Sequence, residues 1–112
     1  MLAEAFRLVD KTGERFYAAE LHRLQGQLLL QQAIPDAPRA EAYFHQALAI
    51  ARHQQAKSLE LRAAMSLSRL WQRQGQETDA RELLAPVYGW FTEGFDTADL
   101  QEAKALLDEL GA

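Results

Sequence analysis

The chain has 112 residues, no cysteine, and 16 acidic against 12 basic side chains, which give a formal net charge of −4. With 48% hydrophobic and 25% charged residues, its composition is that of a soluble globular domain. The lack of cysteine excludes disulfides, thiol nucleophiles and thiolate metal ligands, and the negative charge argues against binding to nucleic acid. Since neither a membrane-spanning apolar run nor a signal peptide is found, we expect no membrane partner and a cytoplasmic location.

The N-terminal third of the sequence predicts two helices. Apolar residues recur at helical spacing over positions 2–9, and this stripe stops near Gly13, which suits a helix end. A second predicted helix extends from about Glu14 to Gln32. Prolines in segment 34–38 end it, because proline lacks a backbone donor and restricts the residue before it.

The middle of the sequence predicts two more helices. The third helix covers about 37–54, with Asp36 as N-cap. The fourth covers about 58–74, with Ser58 as N-cap and Gly75 at its end.

Two final helices are predicted in the acidic C-terminal part. The fifth begins near Glu77 and contains Pro86, which is expected to bend it. The sixth is capped by Asp96 or Thr97 and ends at Gly111. No alternating strand pattern is present, so the predicted fold class is all-α, with about six helices.

A small–large–small pattern recurs after 40 positions on the third and fifth helices. Its members are Ala40, Phe44 and Ala47, and then Ala80, Leu84 and Val87. Helix pairs that repeat at such a period are typical of helical solenoids, which predicts a binding surface rather than a catalytic centre.

These residues resemble the tetratricopeptide repeat (TPR), in which a small, a large and a small residue mark the second helix of each pair. Gly75 stands where this family often has a glycine turn, and Trp71 where it places a large apolar residue between paired helices. Gly26 is a candidate for the small packing residue of the first pair, although Gln25 then falls on an apolar position. The resemblance implies antiparallel hairpins stacked as a right-handed solenoid.

Three longer runs, at 19–26, 56–64 and 84–97, are similar to the C-terminal end of large bacterial signalling proteins. Those proteins join an adenylate or guanylate cyclase domain, or another output domain, to a P-loop ATPase and a TPR array. The resemblance implies that the chain is the C-terminal regulatory region of such a parent. We divide residues 1–112, as one domain, into a half repeat (1–12), two repeats (14–54 and 57–92) and a capping helix (96–111).

Three arginines of the fourth helix form the candidate partner groove. Arg62, Arg69 and Arg73 are spaced so that they share one helix face, and Arg23 and Gln27 on the second helix could extend it. First helices of TPR pairs line the concave groove, where arginines would suit an acidic peptide tail or a phosphate. The alternative is an ordinary solvated helix face.

No residue pattern supports catalysis, so we expect no enzyme activity, no cofactor and no metal. A Gly-rich phosphate loop is absent. His45 and His53 would be about 12 Å apart along one helix, too far to share an ion, and His22 lies on another helix.

The aromatic residues have two interpretations. Trp71 is expected in the core between paired helices, while Trp90, Phe91 and Phe95 are expected to pin the last helix onto the array. The alternative is an aromatic binding platform.

Three functions remain open. The first is a non-catalytic scaffolding module that binds a protein, a peptide or another domain of its parent. The second is a homo-oligomerising segment, and the third a sensor for a small ligand in the solenoid groove.

Overall fold

In the computed structural model, residues 18–94 and 97–111 are described, and all of their regular secondary structure is α-helical. The helices are α1 (Ala18–Leu30), α2 (Ala37–His53), α3 (Lys57–Arg73), α4 (Glu77–Gly89) and α5 (Ala98–Glu109). The predicted all-α class is therefore confirmed for this part of the chain. The predicted first helix, the half repeat 1–12 and the predicted helix start at Glu14 lie outside the described residues.

Several helix ends follow the local sequence signals. The Asp36 side chain accepts a hydrogen bond from the backbone N–H of Arg39 at 3.2 Å and caps α2. Thr97 caps α5 by accepting from the N–H of Leu100 at 3.4 Å. Gly75, which follows the C-cap residue Gln74 of α3, has a φ of +79°, a conformation that favours glycine.

The predicted N-cap at Ser58 is wrong. Helix α3 begins at Lys57, and Ala56 occupies the N-cap position without a side-chain hydrogen bond. Gln55 has a φ of 57°, and the N–H of Ala56 bonds to the carbonyl of Ala51 at 2.9 Å. This tight turn returns the chain to helical geometry before it reaches Ser58.

Each helix packs against the next one, and the alternate helices α1, α3 and α5 also contact one another in sequence. Helix α2 lies across α1 and α3, while α4 lies across α3 and α5, and α1–α3 and α3–α5 are also in contact. The short connections make consecutive helices antiparallel. Hydrogen-bonded pairs between alternate helices advance together along both partners, from Glu20–Arg62 to Gln27–Ser66, so α1 and α3 are parallel.

The core lies between these helices and includes both sets of pattern residues. Phe44 and Leu84 are each 0% exposed, and Ala40, Ala47 and Ala80 are equally buried. Val87 is also buried, whereas Trp71 is half-buried and packs at the edge of the same cluster.

Small residues let the paired helices approach closely. A Cβ added at Gly26 on α1 would lie 2.7 Å from Cε1 of Phe44 and 3.1 Å from the carbonyl oxygen of Ala40. In the second hairpin, the buried Ser68 hydroxyl donates to the carbonyl of Ala80 at 3.1 Å. The small residues Ala40 and Ala80 thus face a small residue of the preceding helix in both hairpins.

The expected aromatic anchor after α4 is only partly formed. Phe91 packs against the core, and Phe95 lies outside the described residues. Trp90 is 57% exposed, so its expected place in the packing is wrong. Its ring lies edge-on to Phe91, with 5.2 Å between the ring centroids, and 5.3 Å from Lys57 Nζ, because α4 ends beside the start of α3 and leaves the indole outside.

Candidate functional site

The parallel helices α1, α3 and α5 form a continuous face that is connected by polar side chains. Between α3 and α5, Arg62 donates to Asp99 at 2.8 Å, Arg69 to Glu102 at 3.3 Å and Gln72 to Glu109 at 3.1 Å. All five predicted groove residues, Arg23, Gln27, Arg62, Arg69 and Arg73, lie on α1 or α3. Their partners, however, divide them into two groups.

The first group consists of Arg23 and Arg62, whose positive charges are neutralised by carboxylates of the same chain. The Glu20 carboxylate accepts from Arg23 at 2.6 and 3.0 Å and from Arg62 at 3.1 Å. Burial raises the pKa of Glu20, but the hydrogen bonds and charges of Arg23 and Arg62 outweigh it, and the net pKa is lowered.

Arg62 connects three helices, since it binds Glu20 on α1 and Asp99 on α5. The hydrogen bond to Asp99 is the largest cause that raises the pKa of Arg62. Arg62 and Arg23 line neither of the two cavities that are described below. These two arginines therefore hold the helices in register.

The second group consists of Gln27, Arg69 and Arg73. These side chains line a groove between α1 and α3 with a volume of about 360 Å³. The half-buried Leu30 forms its apolar side, and the buried core residues Phe44 and Leu70 also line it. Gln27, Gln31, Ser66, Arg69 and Arg73 form its polar side. Such a lining can take a side chain into the apolar part while polar groups bind the rest of a ligand.

Arg73 is the most available cation of this groove. It is exposed, and within residues 18–94 and 97–111 it has no recorded hydrogen bond or ion pair. In the described part of the chain, Glu102 is the single ion-pair partner of Arg69, and the two side chains are 40% and 55% exposed. Exposed pairs of this kind contribute roughly 0–1 kcal/mol, so Arg69 can exchange Glu102 for a ligand carboxylate at little cost.

A second depression of about 190 Å³ adjoins the groove on the α5 side. Arg69 and Arg73 line both. The acidic side chains Glu102 and Glu109 of α5 also line this depression. The two arginines thus lie between an amphipathic groove and the acidic side chains of α5.

The three histidines do not lie together in a metal site. His22 lies beside Tyr43, and His45 lies beside Trp71, with ring centroids 6.0 Å apart in each case. His53 is at the end of α2. Over the described ranges, no group of three or more histidine and carboxylate side chains is placed to hold a metal ion.

The sequence did not reveal the groove's apolar side or the acidic partners of the arginines. Leu30 and Gln31 fall at the end of α1, where a stripe pattern is ambiguous. Asp99 and Glu102 can reach Arg62 and Arg69 only if α3 and α5 run parallel in one particular register, and that register depends on tertiary packing. The charge count of the C-terminal part was the one available signal.

Comparisons with known proteins identify no relative: no family model, no curated protein and no solved structure significantly matches the chain. In the described part of the chain, no helix is long and apolar enough to cross a membrane.

Proposed function

We propose that the chain is a non-catalytic protein-interaction module with a TPR-like, right-handed solenoid arrangement. Two features support this arrangement: small residues meet at Gly26–Ala40 and at Ser68–Ala80 in successive hairpins, and alternate helices are in contact. In keeping with the sequence resemblance, we place the module in the C-terminal regulatory region of a bacterial cyclase or ATPase signalling protein.

The groove between α1 and α3 is the proposed docking site, and its mixed lining carries the proposal. Arg73, which has no hydrogen-bond or ion-pair partner among residues 18–94 and 97–111, lies beside the apolar side chain of Leu30. Arginine binds carboxylates through charge-assisted hydrogen bonds. The amides of Gln27 and Gln31 can donate to and accept from a peptide backbone.

The ligand that fits this lining is a segment of a partner protein, or of another domain of the parent, with an acidic residue next to an apolar one. Inorganic phosphate would leave the half-buried side chain of Leu30 without an apolar partner. A purely apolar peptide would leave Arg73 without an anionic partner.

The proposal is tested by selecting binders from a display library of short random peptides and measuring their affinity by fluorescence anisotropy. We expect enrichment of peptides with adjacent acidic and apolar residues. Arg73→Glu should weaken their binding at least about tenfold, equivalent to ~1.4 kcal/mol. Added salt should weaken binding as well.

Lys104→Glu is the matched control. Lys104 is exposed on α5, pairs with Asp108 at 3.3 Å and lies outside the groove. The same change of charge should leave peptide affinity unchanged there. Failure to enrich any peptide, or equal affinity for the Arg73→Glu variant, would contradict the proposed function.

A further inference from the structure

The depression between α3 and α5 is lined by one uncompensated charge of each sign. Arg73 of α3 and Glu109 of α5 both line it, and within residues 18–94 and 97–111 neither has an ion-pair partner. The carboxylate of Glu109 accepts a hydrogen bond from the neutral amide of Gln72 at 3.1 Å, which leaves its negative charge in place. A ligand that brings both an anion and a cation can therefore compensate both side chains.

The other two charges of the depression form an exchangeable pair. Arg69 donates to Glu102 at 3.3 Å, and both side chains are exposed, so little free energy is lost when the pair separates. If a ligand carboxylate takes Arg69, Glu102 loses its cation. Glu102 and Glu109, seven residues apart on one face of α5, then present two uncompensated negative charges.

A purely acidic ligand would disturb the charge balance of this depression. Its lining contains two arginines and two glutamates. The charged residues of α5 are Asp99, Glu102, Asp108 and Glu109 against Lys104. A segment that carries only carboxylates is attracted by the arginines but repelled by α5. A segment that also carries a cation is attracted by both helices.

We propose that the depression is a second subsite of the docking groove and takes a basic residue of the bound peptide. This inference rests on the proposed function. The acidic residue of the peptide binds Arg69 and Arg73, its apolar residue contacts Leu30, and a lysine or arginine binds Glu102 and Glu109. The chain thus selects segments of mixed charge over purely acidic ones.

The basic residue is expected close to the acidic one in the peptide sequence. Because Arg69 and Arg73 line both the groove and the depression, the two subsites are adjacent. Packed helices lie roughly 8–10 Å apart, and an extended peptide advances roughly 3.3 Å per residue. The basic residue therefore belongs within about three positions of the acidic one, on the side away from the apolar residue.

A display library with a fixed leucine–glutamate pair and about three randomised positions on either side tests the inference. The full wild-type chain should enrich lysine and arginine beyond the glutamate. The double variant Glu102→Gln/Glu109→Gln should still bind leucine–glutamate peptides but without this preference. The matched control is Glu77→Gln/Glu82→Gln, which removes two charges at exposed sites of α4 that line neither cavity. It should enrich the same basic peptides as the wild type.

The affinity of one selected peptide measures the size of the effect. Replacing its basic residue by glutamine should weaken binding to the wild type at least about threefold, within the range of exposed ion pairs. The same replacement should leave the affinity for Glu102→Gln/Glu109→Gln unchanged. Fluorescence anisotropy gives both values, and circular dichroism verifies that the variant keeps its helices.

The outcomes separate this inference from the proposed function. Peptides that bind and are lost with Arg73→Glu, but show no basic preference, would overturn the subsite and leave the groove in place. A basic preference that persists in Glu102→Gln/Glu109→Gln would overturn it as well, since the preference would then come from the net charge of −4. If no peptide is enriched, both proposals are overturned.

Discussion

At the scale of single residues, close packing of α1 on α2 depends on the missing side chain of Gly26. Its Cβ position is occupied by the ring of Phe44, which is fully buried, and by the backbone oxygen of Ala40. Neither neighbour can move without disturbing the core. A glycine that costs helix stability is retained here because the helices must approach closely.

Gly26→Ala should therefore destabilise the chain by about 1 kcal/mol or more, since overpacking costs roughly 1–3 kcal/mol and the helix gains only part of that from alanine. Urea unfolding provides the measurement. The control is Gly89→Ala at the end of α4, where an added Cβ meets nothing within 4 Å. That variant should be as stable as wild type or slightly more stable, and equal effects at both sites would contradict the close approach.

Phe44 is the largest side chain that is completely buried. Phe44→Ala should cost about 3–5 kcal/mol, because it removes apolar contacts and leaves a cavity beside Gly26. Ile34→Ala, at a residue that is 85% exposed, should change the free energy of unfolding by less than about 0.5 kcal/mol. A cost below ~1 kcal/mol for Phe44→Ala would show that the core is placed wrongly.

At the scale of helices, ends with a side-chain cap were recognisable and an end set by a turn was not. Asp36 and Thr97 provide oxygens that bind backbone N–H groups, which is a local property of those residues. The start of α3 is instead set by the turn at Gln55. A serine near a helix start was consequently not sufficient to locate the cap.

Thr97→Ala should destabilise α5 by about 1 kcal/mol, because the N–H of Leu100 loses its side-chain acceptor. Thermal unfolding followed by circular dichroism can measure this. Thr92→Ala is the control, since Thr92 is also exposed and outside any helix. A similar loss for both threonines would mean that the capping hydrogen bond contributes nothing.

At the scale of the whole molecule, one cluster of charges connects three helices. Glu20, Arg62 and Asp99 join α1, α3 and α5, and Arg23 completes the cluster. Because the pKa of Glu20 is lowered in the folded chain, this carboxylate stabilises the fold above its ordinary pKa of 4.5. That contribution is lost as the pH falls through the lowered value.

Glu20→Gln should therefore be less stable than wild type at neutral pH, with a difference that shrinks as the pH falls below 4.5. Urea unfolding at a series of pH values gives the comparison. Glu82→Gln, at an exposed site on α4, should show almost no difference from wild type at any pH. A stability difference for Glu20→Gln that stays constant with pH would contradict the role of its charge.

The sequence alone was sufficient for the helical class, for the boundaries near Asp36, Gly75 and Thr97, and for the 40-residue pattern whose members are buried. These properties follow from local backbone preferences and from the periodicity of apolar residues. Only the tertiary structure decided which arginines are neutralised, where the groove opens, and that Trp90 remains exposed. Such properties depend on the register between helices that are distant in sequence, and side-chain periodicity within one helix carries no information about that register.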